Sequence, residues 1–125
     1  MKFVAVVEQE RLTRVFAALA DPTRRAILAR LAHGEATVAE LAAPFAMTLP
    51  AVSKHLSVLE RAELIERGRR GPGRPCRLLP ERLRDAEGWM RDQRAFWEAG
   101  FDRIEARLDL MADEEGARDG EPDDE

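Results

Sequence analysis

The sequence predicts a mainly α-helical domain in which a helix-turn-helix precedes a two-stranded β-hairpin and a long final helix. Two helix-capping signals, in "TVAEL" and "TLPAV", leave room for one short helix and a turn between them. The turn signal "GPGR" then separates two short segments that favour β-strands. Beyond it, apolar residues recur at steps of four and three residues, the spacing of a helix that packs against another helix.

The composition excludes several classes of protein. No run of 18 apolar residues is present to span a membrane, and the single cysteine, Cys76, excludes an internal disulfide. The apolar patch in the first ten residues is too short for a signal peptide, so a cytoplasmic location is expected. Because the sequence offers no Ser-His-Asp set, phosphate loop or metal cluster, we do not expect an enzyme.

The net charge of −4 conceals a basic middle segment. Residues 113–125 hold eight acids and one Arg, whereas residues 48–84 hold nine Lys or Arg and four Glu. A basic segment attracts polyanions even where the whole chain is acidic. The alternative is that these side chains only cover a solvent-facing surface.

The chain divides into three predicted parts. Residues 1–8 are an N-terminal arm, in which "FVAVV" is either extended or the lead-in to a helix. Residues 9–111 form the domain. Residues 112–125 are acidic, contain Gly and Pro and lack periodicity, so we expect a disordered tail.

The first four helices follow from apolar spacing and caps. Helical spacing predicts the first from Glu8 to Leu19, and "DPT" starts the second, which carries an inner stripe of Ile27, Leu28 and Leu31. Thr37 and Glu40 make a capping box for a third helix, which Pro44 keeps short. Thr48 can cap a fourth helix. The third and fourth helices are the helix-turn-helix candidate.

The fourth helix has two different faces. The residues predicted to face the core are Leu49, Val52, Leu56 and Leu59. The outer face carries Pro50, Ala51, Ser53, Lys54, Ser57 and Arg61. Small, hydroxyl-bearing and cationic side chains without an acid suit a helix that enters the major groove of DNA. A surface helix that is merely rich in Ser and Ala is the alternative.

The last two elements are a basic hairpin and a long helix. "LIERGRR" and "PCRLLP" are predicted strands around a turn, and five Arg without an acid occupy residues 67–77. A basic hairpin directly after a helix-turn-helix is the arrangement of a winged helix, whose wing contacts DNA; an Arg-rich turn that only aids solubility is the alternative. The final helix, from about Arg82 to Met111, carries a stripe formed by Trp97, Phe101, Ile104, Leu108 and Met111.

The stretches "DPTRRAIL" and "VSKHLSVLERAELI" resemble the ArsR-type (arsenic-repressor-like) winged helix-turn-helix regulators. The resemblance covers about residues 8–111 and implies a homodimeric bacterial transcription factor, usually a repressor that a signal releases from operator DNA. It places residues 48–57 on the recognition helix and residues 67–77 on the wing. It also implies that the first and last helices form the dimer interface.

Two features depart from this family. Glu63 stands where the family often has Gly, so either Glu63 adopts a costly backbone conformation or the turn is built differently. The paired cysteines or the Asp, His and Glu ligands of metal-sensing members are also missing, because residues 38–46 hold no Cys and no His follows His55. We therefore expect no metal and no cofactor.

Several residues have two interpretations. His55 either contacts a phosphate or is a partly buried helix residue, and Thr37 is a cap whose hydroxyl could also meet the DNA backbone. Cys76 is a small strand residue, or a redox switch if its pKa is lowered. The aromatic residues of the last helix, among them Trp89 and Phe96, form the core or dimer interface, or else line an effector pocket.

The predicted function is a homodimeric repressor that binds a pseudo-palindromic DNA operator, with an unidentified small molecule or protein as a possible effector. The predicted DNA-binding residues are Thr37, Thr48, Pro50, Ala51, Ser53, Lys54, His55, Ser57, Arg61, Arg67, Arg69, Arg70, Arg74 and Arg77. The predicted dimer interface consists of Leu12, Phe16, Trp97, Phe101, Ile104, Leu108 and Met111. The alternative function is a winged-helix module that docks a protein partner through the aromatic last helix.

Overall fold

The computed structural model describes residues 2–68 and 73–119. Its elements in chain order are α1 (Lys2–Leu19), α2 (Pro22–Leu31), α3 (Val38–Ala42), α4 (Leu49–Arg61), β1 (Ile65–Arg67), β2 (Cys76–Leu78) and α5 (Glu81–Asp119). The predicted fold, a mainly helical chain with a hairpin between the fourth and the last helix, is confirmed. None of the described helices is apolar over a length that could cross a bilayer.

The predicted caps set the helix starts. The Asp21 carboxylate accepts a hydrogen bond from the backbone N–H of Arg24 at 3.0 Å, with Pro22 in the first turn of α2. Thr37 and Glu40 form a complete capping box at α3, and the Thr48 hydroxyl accepts from the backbone N–H of Ala51 at 3.3 Å. Each cap satisfies a backbone donor that a helix start leaves without a partner.

The core joins the inner faces of the helices to the base of the hairpin. Its fully buried large side chains are Val15, Ile27, Leu41, Val52, Leu56, Leu59, Leu64, Ile65 and Cys76. The inner stripe predicted for α2 is buried, and so are three of the four residues predicted for α4. The prediction was wrong for Leu49, which is 54% exposed. Leu49 is the first residue of α4, one turn before the part of the helix that lies on the core.

The hairpin is antiparallel and short. Ile65 pairs with Leu78, Glu66 with Arg77 and Arg67 with Cys76. A bridge from Ala36 to Cys76 ties the segment before α3 to the second strand. The predicted strands are therefore confirmed, whereas the predicted turn residues Gly71 and Pro72 and the wing residues Arg69 and Arg70 lie outside the described residues.

Both chain ends are more helical than an arm and a disordered tail would be, and at the N-terminal end the alternative of a lead-in to a helix agrees with the structure. The segment predicted as an arm is helical from Lys2, because adding turns to an existing helix costs far less than starting one. The segment predicted as a disordered tail continues α5 as far as Asp119. Ala, Glu and Arg, which favour helices, outweigh the single Gly116 there. Residues 120–125 lie outside the described part of the chain.

The chain forms two compact units, one up to Glu87 and one from Gly88 onwards. The first contains the helix-turn-helix, the hairpin and the start of α5. The second is the remainder of α5, whose large apolar side chains are exposed.

Glu63 has a left-handed backbone conformation, with φ of 59°. It lies just after α4, where the family often has Gly, so the costly conformation expected from the sequence is present. Its carboxylate accepts a hydrogen bond from Arg82 Nε at 2.9 Å. Since both partners of this ion pair are partly in water, it offsets little of the strain.

Replacing Glu63 by Gly should give a more stable protein than replacing it by Ala. Both variants lose the ion pair with Arg82, but only Gly adopts a positive φ without steric cost, which favours it by about 1 kcal/mol. Urea denaturation of the two variants measures the difference in the free energy of unfolding. In a helix interior the order is the reverse, so an Ala variant as stable as the Gly variant would contradict the strain at Glu63.

Candidate nucleic-acid interface

The outer face of α4 is open to solvent and carries no acid in its first turn. Thr48, Pro50, Lys54 and Arg61 are exposed, and the residues between them that are half-buried are Ala51, Ser53 and Ser57. Short side chains let the helix backbone approach another surface closely, and the N-terminal end of the helix dipole attracts anions. This face therefore suits a phosphate-lined groove.

Three exposed cations lie on α4 or on the hairpin that follows it. Lys54 and Arg61 belong to α4, and Arg74 belongs to the hairpin. Within residues 5–68 and 73–117 none of the three forms an ion pair. Their charge is thus available to an anionic partner. Arg77, by contrast, pairs with Glu66 across the hairpin, which neutralises a charge that the sequence assigned to DNA.

Arg67 occupies a different place from the one predicted. Its Nη2 donates to the carbonyl oxygen of Ser53 at 3.0 Å and to the Ser53 hydroxyl at 2.9 Å, and its Nε is buried without a hydrogen-bond partner among the described residues. Instead of extending to a DNA backbone, the side chain joins β1 to α4. In the sequence Arg67 is close to the basic turn, which suggested a contact with DNA. In the structure it belongs to the base of the hairpin, next to α4.

The hairpin also approaches the start of α3. Gly73 has φ of 78°, and a Cβ built on it would lie 2.7 Å from Thr37 Cγ2. The next residue, Arg74, is left-handed as well, with φ of 45°. Gly73 therefore lets the wing lie against Thr37, which holds this part of the hairpin beside the helix-turn-helix.

Replacing Gly73 by Ala should destabilise the protein by about 1–3 kcal/mol, because the new methyl clashes with Thr37 and Ala is strained at positive φ. Adding Thr37→Ser removes the clashing Cγ2 and keeps a hydroxyl cap, so it should restore part of the loss. Thermal unfolding of the two single variants and the double variant gives the coupling. Purely additive effects would show that Gly73 does not contact Thr37.

Thr37 and His55 are held by other parts of the domain. The Thr37 hydroxyl accepts from the Glu40 backbone N–H at 3.1 Å, as expected for a cap. His55 Nδ1 lies 3.7 Å from an Asp21 carboxylate oxygen and 3.4 Å from Arg24 Nη1. These contacts favour the structural interpretation of His55. The hydrogen bond from the Arg24 backbone N–H holds the pKa of Asp21 below its usual value.

The sequence interpretation missed Arg24. Its guanidinium donates to the Ala18 carbonyl oxygen at 2.8 Å and to the Ala17 carbonyl oxygen at 3.0 Å, besides reaching His55. It thereby satisfies two acceptors at the C-terminal end of α1 and links that end to α4. The sequence signal is the motif "DPTRR", in which Arg24 follows the cap Asp21 by three residues.

Cys76 is fully buried in the core. Burial raises the pKa of its thiol, and the nearby positive charge of Arg67 opposes that shift without reversing it. A reactive thiol needs the opposite shift and solvent access. These observations favour the small strand residue over the redox switch. In the described residues no group of three or more His, Cys, Asp or Glu side chains is placed to hold a metal ion.

The predicted dimer residues fall into two groups. Leu12 and Phe16 of α1 are half-buried and pack on the core. The α5 residues are exposed, and Phe101, Ile104 and Leu108 have 57–62% of their surface in solvent. In the same helix Trp89 and Trp97 stack edge to face, with ring centroids 6.3 Å apart. The α5 stripe is the kind of contiguous apolar surface that marks an interaction site.

Comparisons with known proteins agree with this architecture. A family model described as a helix-turn-helix domain matches residues 19–68. The transcriptional repressor SdpR of Bacillus subtilis (strain 168) is 38% identical over 79 residues, which is 63% of this chain and 88% of that protein.

Solved structures give the same result. The crystal structure of an ArsR family transcriptional regulator, RHA00566, superposes with a TM-score of 0.68 at 46% identity, over 72% of this chain and 93% of that one. The homodimeric winged helix-turn-helix DNA-binding domain of Mb0332 from Mycobacterium bovis superposes with a TM-score of 0.58 at 28% identity, over 89% of this chain and 86% of that one. The chain therefore belongs to the ArsR family of winged helix-turn-helix transcriptional regulators.

Proposed function

We propose that this DNA-binding regulator is a homodimeric repressor that recognises a pseudo-palindromic operator and does not respond to metal ions. The observation that carries the proposal is the outer face of α4, which is free of acid in its first turn and carries the exposed cations Lys54 and Arg61, neither of which forms an ion pair with a described residue. These are the requirements of a recognition helix in a major groove. A repressor is favoured because the relative SdpR is a transcriptional repressor by its name.

Within this proposal the side chains of α4 and those of the wing have different roles. Thr48, Ala51, Ser53, Lys54 and Ser57 meet base edges or position the helix, in agreement with their place on the outer face of α4. Arg74 contacts the DNA backbone from the wing. Arg69 and Arg70 are assigned the same role from the sequence alone.

We propose that the α5 stripe is covered by a second copy of the chain. The large apolar side chains of this stripe are exposed and step by four and three, as in helices that pack against each other. The M. bovis relative is homodimeric. A two-fold dimer presents two recognition helices to successive major grooves, about 34 Å apart, and hence favours a pseudo-palindromic site.

The proposal needs no cofactor. A transition-metal site favours several N or S ligands in one place, whereas the one cysteine of this chain is buried in the core. An effector, if one exists, is a small molecule or a protein. A regulator of bacterial genes works in the cytoplasm, where the DNA is.

The proposal is tested by selecting binding sites from a random duplex pool and measuring the affinity of the purified protein for the selected site and for scrambled DNA. We expect a site with two related half-sites and tighter binding than to scrambled DNA by a factor of about 10³ or more. Absence of binding at low salt, where electrostatic attraction is strongest, would instead favour the protein-docking module.

A further inference from the structure

We infer that Ser57 is a specificity-determining residue that accepts a hydrogen bond from an exocyclic amino group of adenine or cytosine, whereas Ser53 donates to an acceptor on the DNA. The inference rests on the proposed DNA binding by α4 and adds which chemical groups this helix distinguishes. It follows from the bonds that the two hydroxyl groups already make within the protein.

The hydrogen of the Ser57 hydroxyl is already used. A serine hydroxyl has one hydrogen to donate and two lone pairs to accept. Ser57 Oγ lies 3.1 Å from the carbonyl oxygen of Ser53, one turn earlier in α4, and a carbonyl oxygen can only accept. As long as this bond within α4 is kept, only acceptor capacity is left on Ser57.

This polarity limits the DNA groups that Ser57 can bind. Phosphate oxygens, purine N7, guanine O6 and thymine O4 are all acceptors, so none of them can form a hydrogen bond with it. The donors in the major groove are adenine N6 and cytosine N4. A hydrogen bond between Ser57 and the major groove consequently carries sequence information and cannot be a backbone contact.

The Ser53 hydroxyl has the opposite polarity. A guanidinium group has donors only, so the 2.9 Å contact from Arg67 Nη2 makes Ser53 Oγ an acceptor within the protein. No acceptor among the described residues takes the hydrogen of this hydroxyl. It is free to be donated to purine N7, guanine O6, thymine O4 or a phosphate oxygen.

Arg67 is a positioning residue in this arrangement. It acts through Ser53, because it holds both the carbonyl oxygen and the hydroxyl of that residue from the first strand of the wing. Its buried Nε makes no hydrogen bond within residues 5–68 and 73–117, an arrangement that costs stability and that a surface phosphate contact would not need. The wing base and the two serines form one connected network.

The first experiment removes single amino groups from a selected binding site. Purine replaces each adenine in turn and 2-pyrimidinone replaces each cytosine, and affinity is measured for the wild type, Ser57→Ala and Ser53→Ala. At one position per half-site the wild type should lose about fivefold in affinity, Ser57→Ala should lose nothing further, and Ser53→Ala should still show the loss. The same loss in Ser57→Ala at every position would overturn the assignment.

The second experiment removes single acceptors. 7-Deazapurines remove N7, 2-aminopurine removes guanine O6, 5-methyl-2-pyrimidinone removes thymine O4, and methylphosphonates neutralise phosphate. One of these modifications should weaken DNA binding by the wild type and leave the affinity of Ser53→Ala unchanged. The modification that does so shows whether Ser53 donates to a base or to the phosphate backbone. Coupling of Ser53 to an amino group, or to none of these acceptors, would refute its role as a donor.

Arg67→Met keeps the apolar stem of the side chain and removes the guanidinium with its donors. We expect Arg67→Met to lose the same binding preference as Ser53→Ala and to keep the salt dependence of the wild type. Arg67→Lys, which retains a donor, should recover part of that preference. A phosphate contact would instead lower the salt slope by about 1.8 for a dimer. If Arg67→Met is unfolded, Ser53→Ala alone gives the result. Failure to bind any duplex refutes the proposed function, whereas binding without these couplings refutes this inference only.

Discussion

Replacing Ile104 by Glu should convert the dimer into monomers and weaken operator binding by a factor of about 10² or more. A carboxylate inside an apolar interface loses its hydration and gains no partner. A monomer also loses the gain of binding two half-sites at once, which typically amounts to 10²–10⁴ in affinity. Ile104 lies at the middle of the exposed stripe of α5, so its replacement affects the interface most directly.

The matched control is Ala106→Glu, which adds the same charge to the same exposed helix two residues away, on the opposite side from the stripe. This variant should remain a dimer with wild-type affinity. Sedimentation equilibrium measures the assembly state and fluorescence anisotropy the affinity. If Ile104→Glu remains a dimer that binds the operator, the second copy does not pack on the α5 stripe.

Local signals predicted the elements that place the candidate site. Asp21, Thr37 and Thr48 are caps in the structure as in the sequence, because capping depends on residues within one helical turn. The prediction of core-facing residues in α4 was correct where the helix lies on the core. It was wrong for Leu49, because periodicity does not show where a core ends. The sequence left the N-terminal segment open between an extended arm and a helix and missed the continuation of α5 to Asp119, since composition alone does not show how far a helix extends.

The functional surface was only partly predictable. Lys54 and Arg74 are exposed, as a contact with DNA requires, and their binding to DNA stays a prediction. The sequence could not show that Arg67 turns inward to Ser53 or that Arg77 is paired with Glu66, because both partners depend on tertiary packing and strand register. Five arginines in one segment therefore do not amount to five charges available to DNA.

Lys54 and Arg74 should account for much of the salt dependence of DNA binding. Each lost phosphate contact lowers the slope of log affinity against log salt by about 0.9, and a dimer carries each side chain twice. The double variant Lys54→Gln with Arg74→Gln should therefore lose about 3.6 from the slope and about two to three orders of magnitude in affinity at 0.1 M salt. The loss should extend to scrambled DNA, since phosphates are present in every sequence.

The paired double variant Glu66→Gln with Arg77→Gln is the control for this prediction. It also removes charges from the hairpin, but it leaves the net charge unchanged because the two residues neutralise each other. Its salt slope should equal that of the wild type. Affinity titrations between 0.05 and 0.4 M salt, roughly the range in which counterion release dominates, compare the two variants. An equal loss of slope in both would show that ion pairing in the free protein does not predict which cations bind DNA, and would add Arg77 to the phosphate contacts.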